Sequence, residues 1–155
     1  MKSLLFVILI CLCGCSSSNS QSQTKSQTSL HQADIKEINS YIDNFFKKYK
    51  NEGSSKAIDY LFSTNKVTVD VDNLKSKLDS VKSVLGGFIG YSLITEKSIA
   101  DGLVLRSYLV KHENHPIRFT LVFYKPRDSW VLYRFLYDAE VADELAQSAK
   151  IYLIN

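Results

Sequence analysis

Leu103-Val104-Leu105-Arg106-Ser107-Tyr108-Leu109-Val110-Lys111 and, after His112-Glu113-Asn114-His115-Pro116, Ile117-Arg118-Phe119-Thr120-Leu121-Val122-Phe123-Tyr124 is the stretch on which the fold turns. Side chains alternate between large apolar and polar with a period of two, the pattern of half-buried strands. The intervening His-Glu-Asn-His-Pro is polar and turn-rich, so the two runs pair as an antiparallel hairpin. Leu103, Leu105 and Leu109 share one face of the first run; Ile117, Phe119, Leu121 and Phe123 share one face of the second. Burying both sets together requires odd residues opposite odd residues, since a one-residue slip turns one set to solvent. Arg106, Tyr108, Arg118 and Tyr124 then fall on the outer face.

The same period extends both ways. Residues 88–99 read as a preceding strand of modest quality. Lys125-Pro126-Arg127-Asp128 is turn chemistry, and Trp130 to Tyr137 is a following strand. That last strand is amphipathic on either face. We favour Val131, Tyr133, Phe135 and Tyr137 inward, which places aromatic beside aromatic, with Trp130, Leu132 and Arg134 outward.

Before residue 88 the period is helical. Ile35, Ile38, Tyr41, Ile42, Phe45, Phe46 and Tyr49 recur at helix spacing after Ser29-Leu30-His31-Gln32, an S-x-x-Q capping box. The helix ends near Asn51-Glu52-Gly53, with Lys47, Lys48 and Lys50 in its last turns, where positive charge complements the helix dipole. Ser54-Ser55 can cap a short second helix with Ala57, Ile58, Leu61 and Phe62 as its stripe, ended by Asn65. A third starts near Asp70 or Asp72, carries Val71, Leu74, Leu78, Val81 and Leu85, and stops at Gly86-Gly87. Ala139 to Ala149 looks helical, capped by Asp138. Ile151 to Ile154 extends it or forms a strand. Three helices followed by an antiparallel meander is a segregated α+β order.

The N-terminus carries a different message. Lys2 is the only charge before residue 25, and Leu4 to Leu12 is an apolar run of nine. A bilayer core needs about 20 apolar residues, so this reads as a secretory signal. Leu12-Cys13-Gly14-Cys15 follows directly and resembles the lipobox of bacterial lipoproteins, with Cys13 less usual at its position. The resemblance implies cleavage before Cys15 and acylation of that residue, palmitate included. Several buried acyl chains hold a protein on a membrane for good, whereas one holds marginally. Ser16 rather than Asp follows. In a Gram-negative cell this resembles sorting to the outer membrane, facing the periplasm. Ser16 to Ser29 (SSSNSQSQTKSQTS) is a polar tether expected to be disordered. The expected organisation is a signal peptide over 1–14, lipidated Cys15 and tether over 15–29, and one α+β domain over 30–155 in the cell envelope.

Composition narrows the function classes. The 155 residues are 45% hydrophobic and 23% charged with 6 Gly and 2 Pro, which excludes collagen-like and wholly disordered chains. Nineteen Lys plus Arg against sixteen Asp plus Glu give +3, too weak and too dispersed for a nucleic-acid binder. All three cysteines lie at or before residue 15, so the mature chain has neither a thiolate nor a disulfide to use.

Ala57-Ile58-Asp59-Tyr60-Leu61-Phe62, Gly87-Phe88-Ile89-Gly90-Tyr91, Pro116-Ile117-Arg118-Phe119, Phe123-Tyr124-Lys125-Pro126, Trp130, Phe135 and Asp138, in that order of elements, resemble the NTF2-like (cystatin-like α+β) superfamily over about residues 33 to 147. The resemblance implies helices packed on a curved antiparallel sheet as a cone. Its ketosteroid-isomerase and SnoaL-like enzymes place an Asp or His inside that cone, where the apolar surround tunes the pKa. The strand pattern puts no such residue inward here: His31 sits at a helix start, and His112 and His115 in a loop. Asp59 is the remaining carboxylate candidate for an isomerase or hydrolase, against a solvated helix residue. His112-x-x-His115 with Glu113 falls short of the three or four ligands zinc wants, so neither metal nor cofactor is implied.

Two binding readings remain. Tyr41, Phe45, Tyr60, Phe119, Tyr133 and Phe135 line a candidate pocket for a small apolar ligand, or simply fill the core. Arg106, Tyr108, Arg118, Tyr124 and Trp130 make a basic-aromatic outer face of hot-spot residue types, against a half-solvated sheet. NTF2-like proteins often dimerise through this face. The leading expectation is a non-enzymatic lipoprotein, held on the membrane by its anchor, that binds a protein partner or itself there. A ligand carrier is the alternative, and an enzyme the third reading.

Overall fold

The computed structural model describes residues 30–63 and 70–151. The expected signal peptide, Cys15, the expected tether, Ser29 and Asn65 as helix signals, and the ending after Ile151 lie outside the described residues. The element order is α1 (Gln32–Glu52), α2 (Ser54–Phe62), α3 (Val71–Leu85), β1 (Phe88–Ile99), β2 (Leu103–His112), β3 (Ile117–Tyr124), β4 (Val131–Asp138) and α4 (Val141–Ile151). The four strands form one open antiparallel sheet in the order β1-β2-β3-β4. The architecture is α+β.

Local chemistry accounts for most boundaries. Gly53, at φ 91°, closes α1 and opens α2 in one residue, a left-handed conformation that glycine adopts without Cβ penalty. Asp70 caps α3 by accepting from Asn73 N at 3.0 Å. Gly86, at φ 77°, ends α3. The cap of α1 differs from the expected box: His31 is the N-cap and makes no side-chain cap bond. Ser54 does not cap α2 either, because its hydroxyl donates to Asp79 on α3.

The core lies between the helices and one sheet face. Ile38, Ile42, Phe45 and Phe46 of α1, Ala57, Ile58 and Leu61 of α2, and Leu78 and Leu85 of α3 are buried against it. Phe119 is ringed by Phe45 at 6.1 Å, Phe46 at 6.3 Å, Tyr49 at 5.6 Å and Phe135 at 5.1 Å between centroids. Such offset and edge-on pairs add to what area burial contributes.

The register corrects two expectations. Ile117, Phe119, Leu121 and Phe123 do face inward, but their partners on β2 are Val110, Tyr108, Arg106 and Val104. Odd residues therefore oppose even ones, and Leu105 and Phe119 lie on opposite sides of the sheet. The odd-with-odd pairing leaves Arg106 facing water. Inside, its Nε donates to Glu96 Oε2 at 2.6 Å and its Nη1 donates to Asn39 Oδ1 at 2.6 Å, so its charge is compensated. Val104, Tyr108 and Val110 follow it inward, leaving Leu103, Leu105 and Leu109 half-buried outside.

On β4, Phe135 and Tyr137 face inward as expected, while Val131 and Tyr133 do not. The ladder shifts between Val122 and Phe123: Val122 pairs with Arg134 and Phe123 with Leu132. A bulge inserts one residue and inverts the alternation beyond it. Leu132 and Trp130 are buried as a result, and Tyr133 is exposed.

This assignment of faces predicts unequal costs for two leucines. Leu121→Ala should lose about 2–5 kcal/mol in urea denaturation, the range for emptying a packed site. Leu105→Thr, on the outer face, should lose no more than about 1 kcal/mol. Equal losses would contradict the register.

Candidate functional site

Of the residues of the expected pocket, Phe45, Phe119 and Phe135 fill the core, and Tyr41 and Tyr60 pack against it half-buried. Phe45, Phe119 and Phe135 touch one another, with Phe45 and Phe135 at 6.2 Å between centroids. Tyr41 packs against Tyr60 at 5.2 Å and donates its hydroxyl to the Leu61 carbonyl, which ties α1 to α2. Tyr133 belongs to the other face of the sheet. The clefts found among the described residues are peripheral.

The expected interface is divided by the sheet. Arg106, Tyr108 and Trp130 are buried on the helix side and present no outer surface. Trp130 Nε1 donates to Asp34 at 3.0 Å, its backbone N–H donates to Glu37 at 3.1 Å, and Lys125 Nζ meets Asp34 at 2.6 Å. The Lys125 hydrogen bond, then that of Trp130, holds the buried Asp34 carboxyl below its usual range. This cluster pins the β3–β4 turn to the start of α1. Arg118 and Tyr124 do lie on the outer face. Arg118 is engaged, with Nε to Asp138 at 2.9 Å and its other two nitrogens to Glu144 at 2.6 and 2.8 Å, and so clamps α4 to the sheet corner.

No helix layer covers the middle of that outer face among the described residues. Leu103, Leu105, Leu109, Val122 and Val131 are half-buried there, and Tyr124, Tyr133 and Leu136 are exposed. α4 leaves at the corner with nearly every described side chain exposed, Leu145 included.

Asp59 is an exposed helix residue paired with Lys75 and does not enter the interior. The inward imidazole belongs instead to His112, which the sequence pattern put in a loop. It is the last residue of β2, faces the helices and is 8% exposed. Its Nε2 lies 3.2 Å from Tyr49 Oη, and its Nδ1 is buried with no hydrogen-bond partner among the described residues. Burial lowers the His112 pKa, partly offset by the Val110 backbone. Burial, with Asp79 nearby, pushes the Tyr49 hydroxyl up to about 12. Both groups are neutral at pH 7. A cleft of about 420 Å³ beside them is lined by Lys50, Ser54, Lys82 and Phe88, among others. The glycines of the adjoining loop are accounted for within the chain. A Cβ on Gly86 or Gly87 would come within 3.0 Å of the Glu113 side chain, which accepts from Gly87 N at 2.9 Å. The even parity of β2 was the one signal that could have placed His112 inward.

A second, apolar groove of about 460 Å³ runs between α3 and the start of α4, along Val81, Val84, Leu85, Pro116, Ile117 and Ala142. Among the described residues, no cluster of three or more His, Cys, Asp or Glu is placed to hold a metal ion, and no helix is long and apolar enough to cross a membrane. Compared with protein families, curated proteins and solved structures, the chain matches none.

The His112 geometry sets a pH dependence. Unfolded, the imidazole binds its proton near pH 6.5; folded, it binds it less readily, so this contribution to stability is complete above that pH. It is lost as pH falls below 6.5, by at most about 1.4 kcal/mol per pH unit. Urea titrations between about pH 7.5 and 5.5 should show this slope, and His112→Phe should flatten it.

Proposed function

We propose that this chain is a lipid-anchored protein of the bacterial envelope whose NTF2-like domain is a non-enzymatic interaction module, associating with a second copy through the outer sheet face. The anchor reading is supported by the apolar run Leu4 to Leu12 and the Leu12-Cys13-Gly14-Cys15 lipobox resemblance. The NTF2-like reading is supported by the order of elements, with helices on one face of an antiparallel meander. The observation that carries the interaction reading is the uncovered sheet face. Leu105, Leu109, Val122 and Leu136 lie across three strands of it with no helix above them among the described residues. Contiguous apolar patches of about 300–600 Å² on a monomer are often functional. Asp59 faces solvent and pairs with Lys75, which leaves the isomerase or hydrolase reading without its carboxylate candidate.

A second reading draws on the groove between α3 and α4. Its lining fits a small apolar ligand better than the aromatic interior does. Native mass spectrometry of protein purified from its source would show such a ligand as added mass.

The interaction reading makes a direct prediction. The chain from Ser16 onward should dimerise with rising concentration in sedimentation velocity, and Val122→Lys with Leu136→Lys should leave it monomeric with an unchanged circular dichroism spectrum. A wild-type chain that stays monomeric throughout the accessible range would refute the reading.

A further inference from the structure

The described chain begins at one end of the molecule. Leu30 leads into α1, and the first turns of α1 sit beside the β1–β2 and β3–β4 turns. Asp34 accepts from Lys125 and Trp130, Glu37 accepts from Trp130 N, and Lys125 N donates to Gly102 O at 2.9 Å. These bonds make the end one braced unit. α1 then runs about 31 Å to the opposite end, at 1.5 Å per residue over 21 residues, where Tyr49 meets His112.

The braced end carries an unusual corner. Ile99, the last residue of β1, is 70% exposed. Across the same end of the sheet Tyr124 is 44% and Tyr133 56% exposed, with ring centroids 6.4 Å apart and edge-on. Tyr124 is outside by the alternation of β3, and the β4 bulge turns Tyr133 away from the core to join it. Lys97, Arg127 and Arg134 are exposed nearby and lie outside every ion pair among the described residues. Asp101 and Asp128 are the exposed acids of the two turns. An apolar tip, paired tyrosines and cations outside any described ion pair are the side chains that settle at a lipid–water boundary, where a ring sits among the headgroups with its hydroxyl toward water. Cations there meet anionic lipid.

Fourteen residues separate Cys15 from Leu30. A polar chain of that length has a mean reach of about 20 Å, so an acylated Cys15 would hold this end within a tether length of the bilayer. At such effective concentration even a weak surface affinity produces docking.

We propose that the corner formed by Ile99, Tyr124 and Tyr133 with Lys97, Arg127 and Arg134 rests on the headgroup layer of the membrane that carries the anchor. The inference rests on the acylation of Cys15. It orients the molecule, with α1 rising from the surface and the His112 end facing away from it. The middle of the outer sheet face is left for a second copy.

The test uses the lipidated protein in vesicles of phosphatidylcholine with phosphatidylglycerol. No cysteine follows Cys15, so Ser129→Cys at the braced end and His115→Cys at the far end each give a single thiol for a fluorophore. Iodide should quench the Ser129→Cys label several-fold less than the His115→Cys label. Adding Tyr124→Ser and Tyr133→Ser, both at exposed sites, should remove the difference while the circular dichroism melt stays in place. Equal quenching of the two labels on acylated protein would overturn the docking. Protection at Ser129→Cys that appears only at high protein density would assign the corner to a second copy and overturn it too. Mass spectrometry of the mature N-terminal peptide is read separately: a Cys15 without acyl chains would remove the anchor itself.

Discussion

The structure depends on Phe119 having rings on every side. β3 is a central strand, and its inner face delivers Ile117, Phe119, Leu121 and Phe123 to the interior. α1 answers with Phe45, Phe46 and Tyr49, and β4 with Phe135. That contact sets how α1 lies across the sheet. With α1 in place, α2 and α3 close over its other side, tied by Tyr41 to the Leu61 carbonyl and by Ser54 to Asp79. Among the described residues the sheet's other face has no helix layer, because the helices before β1 pack on this one. The small fourth helix reaches only the corner where Arg118 holds it.

Polar groups brace the margins of this apolar centre. Asp34 with Lys125 and Trp130 fixes the beginning of α1 to the β3–β4 turn, and Tyr49 with His112 fixes its end to β2. Arg106 ties the middle of α1 to β1 through Asn39 and Glu96. Each bond spans elements distant in sequence and satisfies a polar atom the fold buries, the condition under which buried polarity is tolerated. The exception is His112 Nδ1, which has no hydrogen-bond partner among the described residues; burial of its ring makes the far end of α1 the acid-sensitive joint.

Element order and element type were legible because they follow from period. The switch from helical spacing before Gly86 to alternation after it marks α1–α3 and β1–β4, and the stops at Gly53, Gly86 and Pro126 act through backbone geometry alone. Which face of β2 turns inward was not legible. Leu103, Leu105 and Leu109 weigh as much as Val104, Tyr108 and Val110, and the tie is broken by Arg106 finding Glu96 and Asn39, residues 10 and 67 positions away. The candidate surface suffered from the same ambiguity. Alternation puts Arg106, Tyr108 and Trp130 outward, and they lie inside; it puts Arg118 and Tyr124 outside, where they are; and the bulge that shifts the β4 ladder moves Tyr133 from the expected pocket to the surface.

The sequence by itself determined the succession of helices and strands, the apolar face of β3 and the distribution of cysteines, because each is a local or compositional property. The tertiary structure alone decided the parity of β2, the bulge that turns Tyr133 outward and the burial of His112. Those outcomes depend on which distant side chain compensates a charge or fills a gap, and a pattern read along one strand carries no information about the partner across it.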